Sequence, residues 1–303
     1  MVPVKSEFSP LTIAKRSYLQ KWQLKRVQLE RSPLERSPYR RQQAFTLIEL
    51  ITVMVILSIL AVLSTQFVTS SITSYTQSKA RFALTQKGRQ ALERITRELR
   101  MALPNSVRSN SSGQCIEYIP IIGGANYLGV VGDVENGNTT STLNTAPLSL
   151  SSGVPVYVSV GGLLPSELYA SGSSSAALAL WGGVDTSIVP NVVSHSAKQF
   201  VRNSVNRRMF VATFPRQICV SGDQLRLYDA YTPANTYPLN SALSLGTPSG
   251  NSVLLMDGVN GAAAFSVSLA TETVNTLVSI NLPISEANQA ITLSHQVMIR
   301  NVP

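Results

Sequence analysis

Histidine and cysteine are scarce in this chain, with two of each among 303 residues. Two cysteines exclude a cysteine-rich zinc scaffold and a disulfide-dense miniprotein. Two histidines leave little material for a His-based metal site. Charge is scarce as well. Only 14% of the residues are Asp, Glu, Lys or Arg, against about 25% in an average soluble domain. The apolar share is nevertheless 44%, which excludes wholesale disorder, a state of low hydrophobicity and high charge. Together with abundant Ser, Thr and Asn, the charge poverty points to a protein seen from outside the cytoplasm. No G-x-S-x-G nucleophile elbow is present. No G-x-x-x-x-G-K-[ST] loop occurs either, so nucleotide hydrolysis is not built in. With no recognisable catalytic constellation, the chain is expected not to be an enzyme.

The formal net charge of +9 is unevenly placed. Residues 1–44 hold ten Lys/Arg against three Asp/Glu, residues 45–103 seven against three, and residues 104–303 eight against ten. The C-terminal bulk is therefore not basic. A nucleic-acid reading needs positive charge on the folded surface, so a nucleic-acid partner is not expected.

Residues 1–44 read as a solvated basic arm. Ser-Pro occurs three times, at Ser9-Pro10, Ser32-Pro33 and Ser37-Pro38, and each Pro restricts its predecessor. Residues 45–63 then read FTLIELITVMVILSILAVL, with thirteen Leu, Ile, Val or Phe. At about −0.5 kcal/mol each, these contribute roughly −6 kcal/mol, against at most about +3 for Glu49. Membrane insertion wins. From Leu50 to Ser78 there is no Asp, Glu, Lys, Arg or His, enough helix to cross about 30 Å of hydrocarbon. Arg40 and Arg41 crowd the N-terminal flank and favour a cytoplasmic N-terminus. Lys79, Arg81, Lys87 and Arg89 oppose that vote from farther away.

Beyond the span, Leu84, Gly88, Ala91, Leu92, Ile95, Leu99 and Leu103 fall near helical spacing. Glu93 and Arg97 form an i,i+4 pair in the better orientation, and Pro104 ends the pattern. A helix over 45–103 would be about 88 Å long, with Gly88 and the Ser/Thr-rich stretch 69–78 as places to bend. From Asn105 onward, short β-branched and aromatic runs alternate with Gly, Ser, Asn and Pro clusters. Strands are expected at 115–122, 154–160, 208–214, 224–231, 253–257, 264–270, 275–282 and 290–300, with loops at 136–153, 171–175 and 232–252. The alternation at 264–270 and 290–300 suits an antiparallel sheet with one covered face.

The run Arg41-Gln-Gln-Ala44-Phe45-Thr46-Leu47-Ile48-Glu49-Leu50 resembles the signal of type IV pilins and type II secretion pseudopilins. The likeness is strong over 41–68. GQCIEYIPI at 113–121, Ile218-Cys219 and Asp223-Gln-Leu-Arg-Leu-Tyr228 are similar to minor pilins of the mannose-sensitive haemagglutinin pilus, of the MshO kind. Pseudopilin J of type II secretion is the more distant relative. The resemblance implies an α+β, type IV pilin-like fold. A basic leader (1–44) would be cleaved, a long helix (45–103) would cross the membrane over about 45–68, and a periplasmic β-rich head would cover 104–303. It implies a cut by prepilin peptidase between Ala44 and Phe45, N-methylation of Phe45, and assembly charge pairing through Glu49. The family usually has Gly where this chain has Ala44, and its leaders are usually shorter. A single carboxylate at a membrane edge either snorkels or finds a partner. In a bundle of pilin helices, Glu49 can neutralise a neighbour's terminal amine, and a buried pair of that kind sets register.

The implied partners are prepilin peptidase, the inner-membrane pilus assembly platform, and other minor and major pilins. The implied location is the bacterial inner membrane, then the pilus, with the bulky head at its tip. A J-type secretion pseudopilin is the alternative, and a singly anchored periplasmic binding protein is a second.

Outside the cytoplasm Cys115 and Cys219 can form a disulfide. It would close a loop of about 100 residues, worth on the order of 4.7 kcal/mol in the chain-entropy model. Two buried thiols are the alternative. His295, on the inward face of strand 290–300, reads as a satisfied core histidine, and His195, in a Ser-rich loop, as a solvated one. No cofactor is implied. Asp133-Val-Glu135-Asn136-Gly137-Asn138 has the alternating oxygens of a calcium loop but lacks the closing Glu, so a polar turn is the plainer reading. Arg207-Arg208 beside Met209-Phe210 reads as a charge pair at a strand edge, with DNA contact as the alternative.

Overall fold

In a computed structural model of the chain, residues 44–169, 177–228, 251–261, 263–270, 274–286 and 288–300 are described. Residues 1–43 of the expected leader, the expected loop 171–175 and most of the expected loop 232–252 lie outside them. Compactness divides the chain into two units, up to Ala61 and from Val62 onward.

Helix α1 spans Leu47–Arg100. It runs through the Ser/Thr-rich stretch unbroken, because hydroxyls there bond back to the preceding turn: Thr69 Oγ1 donates to the carbonyls of Thr65 and Gln66, and Thr73 Oγ1 to that of Ser70. The buried residues of α1 are Leu84, Gly88, Ala91, Leu92, Ile95 and Leu99, the spacing read from the sequence. Gly88 is a packing notch. A Cβ there would stand 2.2 Å from Leu293 Cδ1 and 3.0 Å from Ile284 Cδ1. The helix stops at Arg100, four residues before Pro104. The chain then turns, with Leu103 donating its N–H to the Ile119 carbonyl and Asn105 adopting a φ of 61°.

The strands follow in order: β1 Arg108–Ser109, β2 Cys115–Tyr118, β3 Ile121–Asn126, β4 Thr140–Thr145, β5 Tyr157–Val160, then the short helix α2 Pro165–Leu168, β6 Leu178–Asp185, β7 Asn191–Lys198, β8 Arg208–Ala212, β9 Arg216–Ser221, β10 Gln224–Tyr228, β11 Ser252–Asp257, β12 Phe265–Ser268, β13 Thr276–Glu286 and β14 Gln289–Ile299. They form three sheets, ordered β1-β2-β9-β10-β11, β12-β13-β14 and β3-β8-β5-β6-β7-β4. Their ladders are antiparallel. The α+β class expected from the sequence is therefore the observed one: a long apolar N-terminal helix followed by antiparallel sheets.

The topology contains an insertion. β2 and β9 are neighbours in the first sheet, and everything from β3 to β8 lies between them in sequence and forms the six-stranded sheet. The run 115–122, expected as one strand, is split at Ile119-Pro120 because the chain leaves one sheet for another there. It returns through 213–215, which ends in Pro215. Thr213 N–H donates to the Pro120 carbonyl, pairing the outgoing and returning segments. Cys115 and Cys219 face each other across β2 and β9 and are joined in a disulfide, with Cα atoms 4.1 Å apart. The bond sits at the neck of the insertion.

Three apolar clusters result. The first gathers the α1 stripe with Ile116, Ile218, Leu225, Val278, Ile280 and Val297, so one helix covers two sheets. The second belongs to the inserted sheet, around Val158, Val193, Phe200 and Val211. The third, with Leu103, Ile119, Tyr157 and Tyr169, lies where the chain enters the insertion. Here too is a buried charge pair that the sequence pattern did not reveal. Arg108 on β1 meets Glu117 on β2, and its guanidinium stacks 3.7 Å from the centre of the Tyr169 ring. A desolvated pair of this kind costs several kcal/mol when one partner is removed.

Replacing both cysteines by serine releases a loop spanning 104 residues. We expect a lower urea midpoint for the full chain in detergent, a loss of about 2–4 kcal/mol. An unchanged midpoint would mean that strand pairing alone holds the neck.

Candidate functional site

The sequence motif places its chemistry where α1 begins. Ala44, Phe45 and Thr46 precede the helix, so the Ala44–Phe45 peptide bond lies outside helical hydrogen bonding. Thr46 caps the helix: its Oγ1 accepts from the Glu49 N–H at 3.3 Å, and its carbonyl accepts from Glu49 and Leu50 N–H. Thr46-x-x-Glu49 is the spacing of a capping box. The capping role of Thr46 is thus encoded in that spacing. Glu49 stands in the first turn, where a negative charge is favoured by the helix dipole. Its carboxylate is exposed and has no hydrogen-bonding or ionic partner among the described residues. Phe45 is 82% exposed.

Around this carboxylate the helix is bare. Leu50, Ile51, Val53, Met54, Val55, Ile56 and Leu57 are all about half exposed or more. The helix is long and apolar enough to cross a membrane. Hydroxyls within the apolar stretch are satisfied locally: Thr52 Oγ1 donates to the Glu49 carbonyl and Ser58 Oγ to that of Val55. Among the described residues near the start of the span, Glu49 is therefore the polar side chain left wanting a partner. An apolar surface this wide needs lipid or other helices around it.

The other candidates fare differently. Cys115 and Cys219 are bonded to each other and carry no thiol chemistry. Asp133 is engaged: Oδ1 accepts from the Asn136 N–H, and Oδ2 from the backbone and side-chain amides of Asn203. These donors, that of Asn136 foremost, hold its pKa below the ordinary carboxylate value. The turn is built on its own hydrogen bonds, and no cluster suited to a metal occurs among the described residues. Arg207 precedes β8 with a φ of 51°. Arg208 begins β8 and is exposed.

The two histidines exchange the environments expected of them. His295 lies on the helix-facing side of β14 but is exposed, because a cavity of about 600 Å³ opens beside it against α1. His195 belongs to β7, not to a loop. It is buried beside Val193 on the covered face and lies edge-on to Phe200. Its Nδ1 is 2.8 Å from the Ser196 carbonyl, while Nε2 has no partner among the described residues. Burial lowers its pKa, and the Ser196 carbonyl opposes this only in part. The expected Glu93–Arg97 ion pair is not formed, since exposed pairs gain too little to fix two long side chains. In its place Glu98 binds Arg216 at 3.0 Å and Tyr118 Oη at 2.9 Å, tying α1 to the first sheet.

The Prokaryotic N-terminal methylation motif matches residues 39–65. It supports a type IV pilin-like chain, of the type processed by prepilin peptidase, and the apolar helix is consistent with a single-pass membrane anchor. No curated protein and no solved structure matches the chain.

The depressed pKa of His195 sets a pH dependence. The unfolded chain takes up a proton near the ordinary value of 6.5, whereas the folded chain does so only at lower pH. Stability is therefore complete above the unfolded value and is lost as pH falls through the folded one, by at most about 1.4 kcal/mol per pH unit. Thermal melts between pH 7 and pH 5 should show a falling midpoint, and His195→Gln should flatten that slope. Equal slopes would remove His195 as the cause. The carboxylates of Asp133 and Glu167, also depressed, enter only below their ordinary values of 3.8 and 4.5.

Proposed function

We propose that the chain is a minor subunit of a type IV pilus, a non-enzymatic part that primes or tips the filament. It is held in the bacterial inner membrane by α1, with its N-terminus in the cytoplasm and residues 104–303 in the periplasm. Prepilin peptidase cuts between Ala44 and Phe45 and methylates the new amine. The assembly platform then passes the helix into a bundle of minor and major pilin helices. There the Glu49 carboxylate neutralises the Phe45 amine of a neighbouring subunit.

The observation that carries this reading is the lone carboxylate. Glu49 is the one acidic residue in the first turn of a bare apolar helix, and it has no partner among the described residues. Burying it unpaired costs several kcal/mol, and pairing it with an amine offsets that cost. Because α1 starts just after Phe45, the new amine and the carboxylate lie about one helical turn apart. Parallel helices staggered by about one turn would bring one subunit's amine to the next subunit's Glu49. The inserted six-stranded sheet makes the head bulky, which disfavours repeated tiling along a shaft but not a terminal position. Ala44 in place of the usual Gly keeps the residue before the cut small.

Mass spectrometry of the mature N-terminus, in cells with and without prepilin peptidase, tests the processing. The expected product is N-methylated Phe45, present only with the peptidase. An intact leader, or a cut beyond the apolar span, would overturn the reading. Glu49→Val should leave that cut in place and lower the chain's content in sheared filaments by about tenfold or more, the scale of losing a buried charge pair. Loss of incorporation in a strain lacking the pilus platform, but not in one lacking the secretion platform, separates the pilus from a J-type pseudopilus.

A further inference from the structure

The outer edge of β14 and the helix beside it form a second candidate surface. β14 spans Gln289–Ile299 and pairs only with β13, in a register without a shift over its full length. It contains no Lys, Arg, Asp, Glu or Pro, and it has no bulge. Natural edge strands are commonly blunted by such devices. The other edge strands are shorter, at six residues or fewer, and several are bonded by flanking segments or irregular. β3 receives the Ser151 N–H on its Ile122 carbonyl and donates its Ile121 N–H to Met101. β4 is bridged through Thr145 to Tyr127. β11 is short and has a register shift against β10.

The unpaired backbone groups of β14 can be assigned. Asn281 and Ser285 donate their N–H groups, and Pro283 offers its carbonyl, toward residues 258–264. Their β14 partners are Ser294, Ala290 and Thr292. In an antiparallel ladder, residues opposite such positions turn their own groups away from the pair. Thr292, Ser294, Gln296 and Met298 therefore present N–H and C=O to the outer edge. Among the described residues, nothing accepts or donates there.

Arginines flank this edge. Arg89, Glu93, Thr96, Arg97 and Arg100 form one stripe on α1 and, with Leu92, Met101 and His295, line the cavity of about 600 Å³. A neighbouring cavity of about 540 Å³ shares Arg100 and adds Arg208, Arg300, Phe210, Met298 and Ile299. None of the five arginines has an ion-pair partner among the described residues. Five guanidinium groups and one carboxylate thus gather in a chain whose residues 104–303 are net acidic. The stripe from Arg89 to Arg100 covers about 16 Å of helix, the length of about five strand residues. Side chains of an added strand alternate, so those on one face would enter the arginine-lined cavity.

We propose that this edge takes up an extended acidic segment of a partner protein by strand addition. The partner's backbone bonds Thr292–Met298, and its alternate Asp or Glu side chains meet Arg89, Arg97 and Arg100. Charge complementarity selects the partner, and the apolar floor of Leu92 and Met101 accepts its intervening methylenes. The inference does not depend on the processing of the leader.

The probe is a labelled nine-residue peptide alternating Glu with Val or Thr, titrated by fluorescence anisotropy against the full chain in non-ionic detergent. The expected result is salt-sensitive micromolar binding, weakened about tenfold or more by the double variant Arg97→Gln/Arg100→Gln, as for paired charges at an interface. The Lys counterpart should not bind. Gln296→Pro removes an outward N–H without breaking the β13 ladder and should abolish binding. A backbone N-methylated peptide should fail likewise, a control that holds even if Gln296→Pro does not fold. No binding, or equal binding of the N-methylated peptide, overturns the proposal. A single-stranded oligonucleotide of equal charge that binds as tightly, and is indifferent to Gln296→Pro, makes the surface a plain polyanion patch and overturns it too. Self-association lost in Gln296→Pro would place a second copy there instead.

Discussion

The packing of one helical stripe against two sheets is the constraint on which the head depends. The five-stranded and three-stranded sheets share no ladder. What joins their inner faces is the row Leu84, Gly88, Ala91, Leu92, Ile95 and Leu99, which fills the space over both. Gly88 lets the helix approach Leu293 and Ile284. Glu98, held by Arg216 and Tyr118, fixes the rotation of α1 about its own axis. With the helix seated in this way, the flank carrying Arg89, Arg97 and Arg100 is turned to the margin of β14.

The same chain is asked for two solvents. The apolar residues at the start of α1 are exposed because nothing among the described residues covers them, while the apolar stripe from Leu84 on is buried by sheets. The composition changes to match. The charge-free segment ends where Lys79 and Arg81 begin, and the amphipathic spacing starts directly afterwards. Between the two, threonines return their hydroxyl protons to the helix's own carbonyls, which keeps the segment acceptable to lipid and to water alike.

Much of this was legible in the sequence, and the exceptions have physical causes. The buried stripe of α1 was readable residue by residue because period 3.6 persists over several turns. β12 and β14 were readable because one face alternates cleanly. β4, within an expected loop, is Thr-Ser-Thr-Leu-Asn-Thr, with a single apolar side chain to signal it. β6 contains Gly182-Gly183, and β7 carries Asn191 and His195 where apolar residues would mark the pattern. β9 was hidden by Pro215, which reads as a loop but marks the return between two sheets. Strand 275–282 was ended too early for a related reason. Pro283 sits where β13 bonds β14 on its other side and loses no ladder bond. At the N-terminus the methylation motif and the start of the apolar helix were legible, since their residues are close in sequence. The arginines beside β14 were not legible, because they come from α1, β8 and the C-terminal segment, and only the fold brings them together.

The placement of the insertion has a consequence for how such a head can diversify. Its two ends leave the parent sheet at paired residues and return within one strand spacing, clamped by Cys115 and Cys219. The helix and the two sheets it covers ask that these ends meet and that the segments touching them, Ile121 at Met101 and Tyr169 at Arg108 and Ser106, stay in place. Sequence beyond those contacts is free to lengthen, shorten or be exchanged while the register of β2 against β9 is kept. The neck is thus a natural grafting point: whatever face the six-stranded lobe presents can drift or be replaced without altering the way α1 is seated.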